Sequence, residues 1–309
     1  MIKKLLLAIV LLASTITFAQ DDKKEEGPKD GWTKGGNMAI TFNQSAFNNE
    51  WTGGGVANIL ANVLINYDFN MVKGDLIWDN KLIADYGALK NKGDDNFTKS
   101  NDRLEFNSLV GKKAKGLWYY SAYFNMRTQM DAGFTTSQEE TPLLNDDDTP
   151  VLQNGIPLTT TTDVTTRGTH FFSPVYFQAG PGMLWKKSDN LKVNISPAAA
   201  KYIIVHDEFA GTFGTDPGKT SAFELGAALQ GYYKVNLMKN ISMENLINLY
   251  TNYLEDPQNV DVDYTMNLVM PINKYITTNL VFQAIYDDNA QRSGFQIREA
   301  FGVGVNFKF

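Results

Sequence analysis

The last ten residues, AFGVGVNFKF (300–309), decide the fold. Large apolar residues recur at every second position: Phe301, Val303, Val305, Phe307 and Phe309. Glycine, asparagine and lysine occupy the positions between them. Because successive side chains of a β-strand point to opposite faces, this pattern predicts a strand with one bulky apolar face and one small or polar face.

The same alternation recurs along the chain, for example from Trp118 to Arg127, where aromatic and polar residues take turns. It predicts twelve strands, over residues 33–46, 54–71, 75–89, 102–112, 117–130, 171–186, 191–206, 221–238, 241–254, 260–271, 275–287 and 294–309. An even strand number is what the antiparallel closure of a bacterial outer-membrane barrel requires. No segment after residue 20 approaches the roughly 18 apolar residues of a transmembrane helix.

The connections between these strands alternate strictly between short and long. The short ones are 72–74, 113–116, 187–190, 239–240 and 272–274, and the longest of the others is 131–170. In a barrel whose termini lie on one side, this pattern places tight turns at one rim and loops at the other. The sequence therefore predicts an all-β fold, a single antiparallel transmembrane β-barrel of about 12 strands with short periplasmic turns and longer extracellular loops.

The N-terminal segment predicts export. Residues 1–19 combine Lys3 and Lys4, an apolar run and a small residue at Ala19, which is the layout of a cleaved signal peptide. Residues 20–31 are charged and poor in apolar residues, so we expect a disordered lead-in. The barrel domain then covers 32–309, and the predicted location is the bacterial outer membrane.

Composition narrows the chemistry. The 309 residues include no cysteine, which excludes disulfides and thiolate metal sites. The formal net charge of -6 argues against nucleic acid as a partner, because phosphate binding needs a cationic surface. No phosphate-cradling or dinucleotide glycine motif is found, and no cofactor is predicted. The expected partners are outer-membrane lipid, the barrel-insertion machinery, and an unidentified small solute or extracellular partner.

The polar faces of the predicted strands carry charges that belong inside a membrane barrel. A charge on the lipid face costs about 2–4 kcal/mol near the midplane. The lumen-lining candidates are Asp79, Lys81, Asp85, Arg103, Glu105, Arg127, Lys192, Glu224, Lys234, Glu244, Asp261, Asp263, Arg298 and Lys308. Seven of these side chains are acidic and seven basic, so the same set is compatible with a narrow wet pore or with a salt-bridged plug.

Aromatic residues near the predicted strand ends fit the girdles of a membrane barrel. They are Trp32, Trp51, Trp78, Tyr86, Trp118, Tyr119, Trp185, Tyr202, Tyr250, Tyr253, Tyr275 and Tyr286. Some of them could instead pack inside.

No catalytic or metal site is predicted. The two histidines, His170 and His206, are expected near the loop-side rim, and Ser173 has the wrong strand parity to pair with His170. Asp146, Asp147 and Asp148 could hold a divalent cation but lack the spacing of a calcium loop. The threonine run 159–162 is interpreted as a polar loop.

A set of short motifs resembles a known family. The set comprises the stretch Phe42–Gly55, the segments 73–75, 78–80, 86–87, 101–104 and 118–120, and the two serine-proline strands at 171–174 and 194–197. Taken in order, these resemble a Bacteroidota-type outer-membrane β-barrel family classified as a domain of unknown function. The resemblance covers about 31–309 and implies an exported barrel without supplying an activity. The final Phe309 is similar to the C-terminal aromatic that barrel-insertion machinery recognises.

Two functions follow as alternatives. The first is a passive channel or transport-type barrel, with the charged lumen as its path and the loop 131–170 at its mouth. The second is a plugged barrel whose extracellular loops bind a partner, which predicts paired lumen charges. A membrane lipid hydrolase using His170 or His206 is a remote third.

Overall fold

The structure is a computed structural model that describes residues 30–48, 56–145, 149–287 and 294–309. The predicted signal peptide, nearly all of the lead-in, the girdle residue Trp51 and the acidic run Asp146–Asp148 lie outside these described residues. The described fold is one compact unit, Gly31–Phe309.

Twelve of sixteen described strands form a closed antiparallel barrel. They are β1 (Gly31–Ser45), β2 (Asn58–Lys73), β3 (Leu76–Asn91), β4 (Thr98–Lys113), β5 (Trp118–Thr128), β10 (Val175–Ser188), β11 (Leu191–Ile204), β12 (Ser221–Met238), β13 (Ile241–Asn252), β14 (Asp261–Pro271), β15 (Ile276–Tyr286) and β16 (Gln296–Lys308). Each strand pairs with its neighbours along the chain, β5 pairs with β10, and β16 closes the ring on β1. The predicted all-β, twelve-strand antiparallel barrel is confirmed.

The two rims differ as predicted. Short turns join β2–β3, β4–β5, β10–β11, β12–β13 and β14–β15. Longer connections join the other pairs, and the longest spans residues 129–174. Gly31 pairs with Val72 and Lys308 with Asn37, so both ends of the barrel sheet lie at the short-turn rim.

The barrel is apolar outside and polar inside. Phe301 and Phe307 are 54% and 51% exposed, whereas Asp85 and Glu224 are only 2% and 6% exposed. A water-soluble barrel would have the opposite arrangement, because burying apolar surface is what stabilises its interior. Within the described ranges, no helix has the length and hydropathy to cross a membrane.

A bulge in β11 changes which residues face the lumen. The register between β11 and β12 shifts between Ser196 and Ala199, two residues that are both fully buried. The residues of β11 that face inward are therefore even-numbered before the bulge and odd-numbered after it, which brings Lys201 into the lumen. Two expected girdle residues are also inside: Tyr250 is buried in the lumen, and Tyr119 lies on the face opposite Trp118, with its ring 4.5 Å from the Lys113 ammonium.

The long connection contains strands that the sequence interpretation missed. Strands β6 (Gly133–Pro142) and β9 (Thr159–Thr169) form a two-stranded ribbon, and between them lie the short strands β7 (Leu152–Gln153) and β8 (Ile156–Pro157). The interpretation of 159–162 as a loop is wrong, because these threonines pair with Glu139, Glu140, Thr141 and Pro142. Threonine is β-branched and favours extended backbone, so the run itself carried this signal.

Candidate functional site

The middle of the lumen is crossed by ion pairs between opposite walls. The Lys81 ammonium of β3 donates to the Glu244 carboxylate of β13 at 3.0 Å. Five strands separate β3 from β13 in either direction around the ring, so this pair spans the barrel. Arg127 of β5 bonds Asp263 of β14, a second pair between strands that are not neighbours.

Further pairs lie along the same interior. Near the short-turn rim, the Asp79 carboxylate accepts from the Lys192 ammonium at 2.6 Å and from the Lys186 ammonium at 3.3 Å. The Lys201 ammonium lies 3.3 Å from the Glu224 carboxylate and 3.4 Å from that of Asp261.

Two tyrosine side chains also lie in the lumen. Tyr123 and Tyr250 are buried together with Ala199 and Ala228, with Leu109 packed against them. A cavity beside Lys81 and Arg103 has a volume of about 10 Å³. One water molecule needs about 10–15 Å³, so this cavity holds at most about one.

The fourteen predicted lumen residues fall into two groups. Twelve lie within the barrel, where Arg103 is 3.7 Å from Glu105 and Arg298 is 3.5 Å from Asp85. Lys234 and Lys308 face inward by strand parity but are exposed near the short-turn rim.

Sequence reasoning missed Lys186 and Lys201. Lys201 joins two ion pairs in the lumen, and Lys186 joins Asp79 in the lumen and the exposed turn residue Asp189. Lys186 is the last residue of the predicted strand 171–186. The β11 bulge changes the face of the strand on which Lys201 lies. The sequence does contain a signal for the bulge, because one proline directly follows Ser196 and another, Pro181, lies in the neighbouring strand. A proline inside a strand indicates an edge strand or a bulge.

A folded loop packs against inward-facing side chains at the long-loop rim. Residues 205–220 connect β11 to β12 and contain a single 3-10 turn, Asp207–Phe209. Phe209 is buried against Ile203 and Val205, and Tyr176 and Phe213 complete the cluster. The side chains of this cluster are mainly apolar, so they disfavour water at the long-loop end of the ion pairs.

The ribbon is fastened to the barrel at its base. The Lys99 ammonium of β4 donates to Asp102, Gln129, the backbone oxygen of Asp131 and Thr169, at 2.8–3.2 Å. The Asp102 carboxylate also accepts from the backbone N–H groups of Met130 and Asp131, both at 2.8 Å. One half-buried lysine, Lys99, therefore joins both strands leading into the ribbon.

Replacing Lys99 by methionine should release the ribbon while leaving the barrel intact. The change removes four hydrogen bonds from a charged donor and leaves the Asp102 carboxylate buried without its cation, so we expect the opening free energy of the ribbon base to fall by about 2–3 kcal/mol. Hydrogen exchange at residues 130–133 measures this. The control is Lys90→Met, because Lys90 is a half-buried lysine of β3 whose ammonium donates to the backbone oxygen of Asp95 and makes no contact with the ribbon base. Equal exchange in both variants would contradict the role of Lys99.

Asp131 gives the ribbon base a pH dependence. The Tyr86 hydroxyl donates to its carboxylate at 2.8 Å, and this bond, together with the Ala132 N–H, lowers the pKa of Asp131 below its usual value. A lowered pKa means that the contact is intact above about pH 4 and is lost as the pH falls through the folded-state pKa. Tyr86→Phe should raise the pKa of Asp131 in an NMR titration, and an unchanged pKa would contradict the assignment.

The two histidines meet at the same rim. Their rings stack with centroids 4.9 Å apart, a contact that their sequence separation concealed. Ser173 uses its hydroxyl to accept from the backbone N–H of His206 at 2.8 Å, rather than to donate to an imidazole as a serine nucleophile does. Among the described residues, no three His, Cys, Asp or Glu side chains cluster closely enough for a metal ion.

The fold and the lumen thus define a closed twelve-stranded barrel with an ionic interior. Residues 42–134 match the family described as "Protein of unknown function (DUF3078)", in agreement with the resemblance found in the sequence. This match covers less than a third of the chain. A search of curated proteins finds no match.

Solved structures with this kind of fold are barrels of distant sequence. The translocator domain of autotransporter NalP from Neisseria meningitidis is 7% identical, with a TM-score of 0.36, over 99% of this chain and 98% of that one. The β domain of the Bordetella autotransporter BrkA is 9% identical, with a TM-score of 0.30, over 90% and 99%. The Pseudomonas putida toluene transporter TodX is 9% identical, with a TM-score of 0.30, over 91% and 89%.

Proposed function

We propose that this chain is a bacterial outer-membrane β-barrel with a closed lumen, which presents its ribbon at the cell surface to a partner. The apolar exterior supports the membrane location, because exposed Phe, Trp, Leu and Val on a closed barrel need a hydrocarbon environment. The barrel strands, of 11 to 18 residues, are at least as long as the roughly 9–11 residues that a tilted membrane strand needs. Export by the signal peptide 1–19 and insertion by the barrel-assembly machinery are parts of this proposal.

The observation that carries a closed lumen is the Lys81–Glu244 pair, because it joins opposite walls of the barrel and the cavity beside it measures only about 10 Å³. Charges that line a conducting pore usually face water, whereas these face one another. The plugged alternative is therefore preferred to the passive channel.

The ribbon is the part of the protein best suited to contact a partner. Nearly all residues of β6 and β9 are exposed, and within the described chain each of these strands pairs only with the other. Free strand edges bind extended peptides by strand addition. The two ribbon strands carry a net negative charge, because the base Arg167 is outnumbered by Glu139, Glu140 and Asp163. The Arg167 guanidinium also lies 3.4 Å from Glu208, so an extended cationic segment fits this surface.

In-cell photo-crosslinking tests the ribbon. A photo-reactive amino acid at Thr161, exposed on β9, should give one discrete adduct in intact cells, and excess of a lysine-rich β-strand peptide should suppress it. The control position is Gln258, exposed in another loop of the same rim. Equal adducts from both positions, or none from Thr161, would contradict the proposal.

A further inference from the structure

An outward-facing pocket lies on the barrel wall near the short-turn rim. It has a volume of about 290 Å³ and is lined by Trp32, Lys34, Tyr67 and Phe69. Lys34 pairs directly with Phe69, and Trp32 with Met71, so all of these side chains lie on the outer face of β1 and β2. The pocket thus opens toward the membrane and is separate from the lumen.

The aromatic walls of this pocket are built into the sheet. Tyr67 stacks on Phe69 at 5.9 Å and on Phe309 at 6.0 Å, and Trp32 contacts Trp78 at 5.7 Å. Glycine at position 36 leaves room for the Phe309 ring, because a Cβ there would lie 2.8 Å from the ring. Three aromatic walls favour an apolar chain over a fully hydrated ligand.

Lys34 is the charged group of the pocket. In the described ranges, no carboxylate lies within 4 Å of its ammonium, although the outer face of a membrane barrel disfavours an uncompensated cation. Lys34 pairs with Phe69, which lies four residues before Lys73 at the short-turn rim. The aliphatic part of the Lys34 side chain can therefore run along the aromatic rings while its ammonium reaches the level of the lipid headgroups. Lys73 and Lys112, both exposed on the outer face at the same rim, add positive charge.

We infer that this pocket binds an anionic phospholipid, with its headgroup phosphate on Lys34 and an acyl chain along Tyr67 and Phe69. This inference depends on the membrane placement proposed above. A free phosphate would satisfy the lysine but leave the aromatic walls empty. A neutral lipid would fill the walls, but its own cationic headgroup would compete with Lys34 for the phosphate.

Native mass spectrometry of the full barrel in detergent tests the inference. With equal amounts of phosphatidylglycerol and phosphatidylcholine, we expect the wild type to retain at least five times more of the anionic lipid. Lys34→Gln should lose this preference. Lys92→Gln removes the same charge from an exposed lysine in the β3–β4 connection at the opposite rim and should keep it. Millimolar inorganic phosphate should leave the bound lipid in place.

Equal retention of both lipids by the wild type, or the same retention by wild type and Lys34→Gln, would overturn the inference. Release of the lipid by inorganic phosphate would also overturn it, in favour of a free-phosphate site. Gel mobility before and after heating is recorded for each variant. A compact unheated form with no lipid preference refutes the lipid site alone, whereas failure of every variant to form it in lipid refutes the membrane barrel as well.

Discussion

Replacing Asp79 by asparagine is expected to lower the free energy of unfolding by about 3–5 kcal/mol, the range for removing one partner of a buried ion pair. Asp79 is 8% exposed, and its carboxylate lies between the ammonium groups of Lys192 and Lys186. An amide leaves the Lys192 and Lys186 ammonium groups without the carboxylate that lies between them. Urea unfolding of the barrel in lipid vesicles measures the change.

A double variant separates the ion pair from other effects of the substitution. Asp79→Asn combined with Lys192→Gln removes both charges, while Lys186 keeps Asp189 at 2.8 Å. We expect the double variant to recover at least half of the lost stability, because the penalty comes from the unpaired charge. If the double variant is as unstable as the sum of the two single variants, the charges act independently and the closed ionic lumen is wrong.

Replacing Gly304 by alanine is expected to cost more than about 3 kcal/mol, because it places a methyl group in the seam where the barrel closes. Gly304 of β16 pairs with Thr41 of β1, and its added Cβ would overlap the backbone oxygen of Ile40 and lie 2.7 Å from the Thr41 Cα. Backbone atoms cannot move aside as a side chain can, so the seam must shift. Unheated gel samples should lose the compact form.

Gly35→Ala is the matched control for the seam. Gly35 lies in β1 at the same rim, and its Cβ would meet only the Phe309 oxygen at 3.7 Å, an ordinary contact. We expect this variant to be neutral or slightly more stable, because alanine restricts the unfolded chain. Equal loss of the compact form in both variants would show that the seam does not depend on Gly304.

The sequence predicted the barrel because its signal is regular and local. Alternation along 300–309 and the sorting of connections by length each follow from the side-chain geometry of paired strands. The inward placement of Asp79 and Glu224 follows from parity alone. Parity failed for Lys201, where the β11 bulge inserts a residue. The girdle assignment of Tyr250 was wrong although parity places this residue on the same face of β13 as the inward-facing Glu244.

The pairing of the lumen charges could not be predicted from the sequence. Strand parity says that Lys81 and Glu244 face inward, but it does not say that they meet, since their contact depends on the stagger of strands on opposite walls. The ribbon was missed for a different reason. Its threonines and acidic residues have no apolar face, so the period-two hydrophobic signal on which the strand prediction relied is absent.

Single-molecule conductance in a planar lipid bilayer tests the closed lumen most directly. The wild type should show no stepwise conductance at neutral pH. A variant with serine at Lys81, Glu244, Arg127 and Asp263 removes the two ion pairs at the middle of the lumen and should show small, discrete steps. Steady ohmic steps from the wild type, unchanged in the variant, would contradict the account, because ions would then be crossing a lumen that these four side chains do not close.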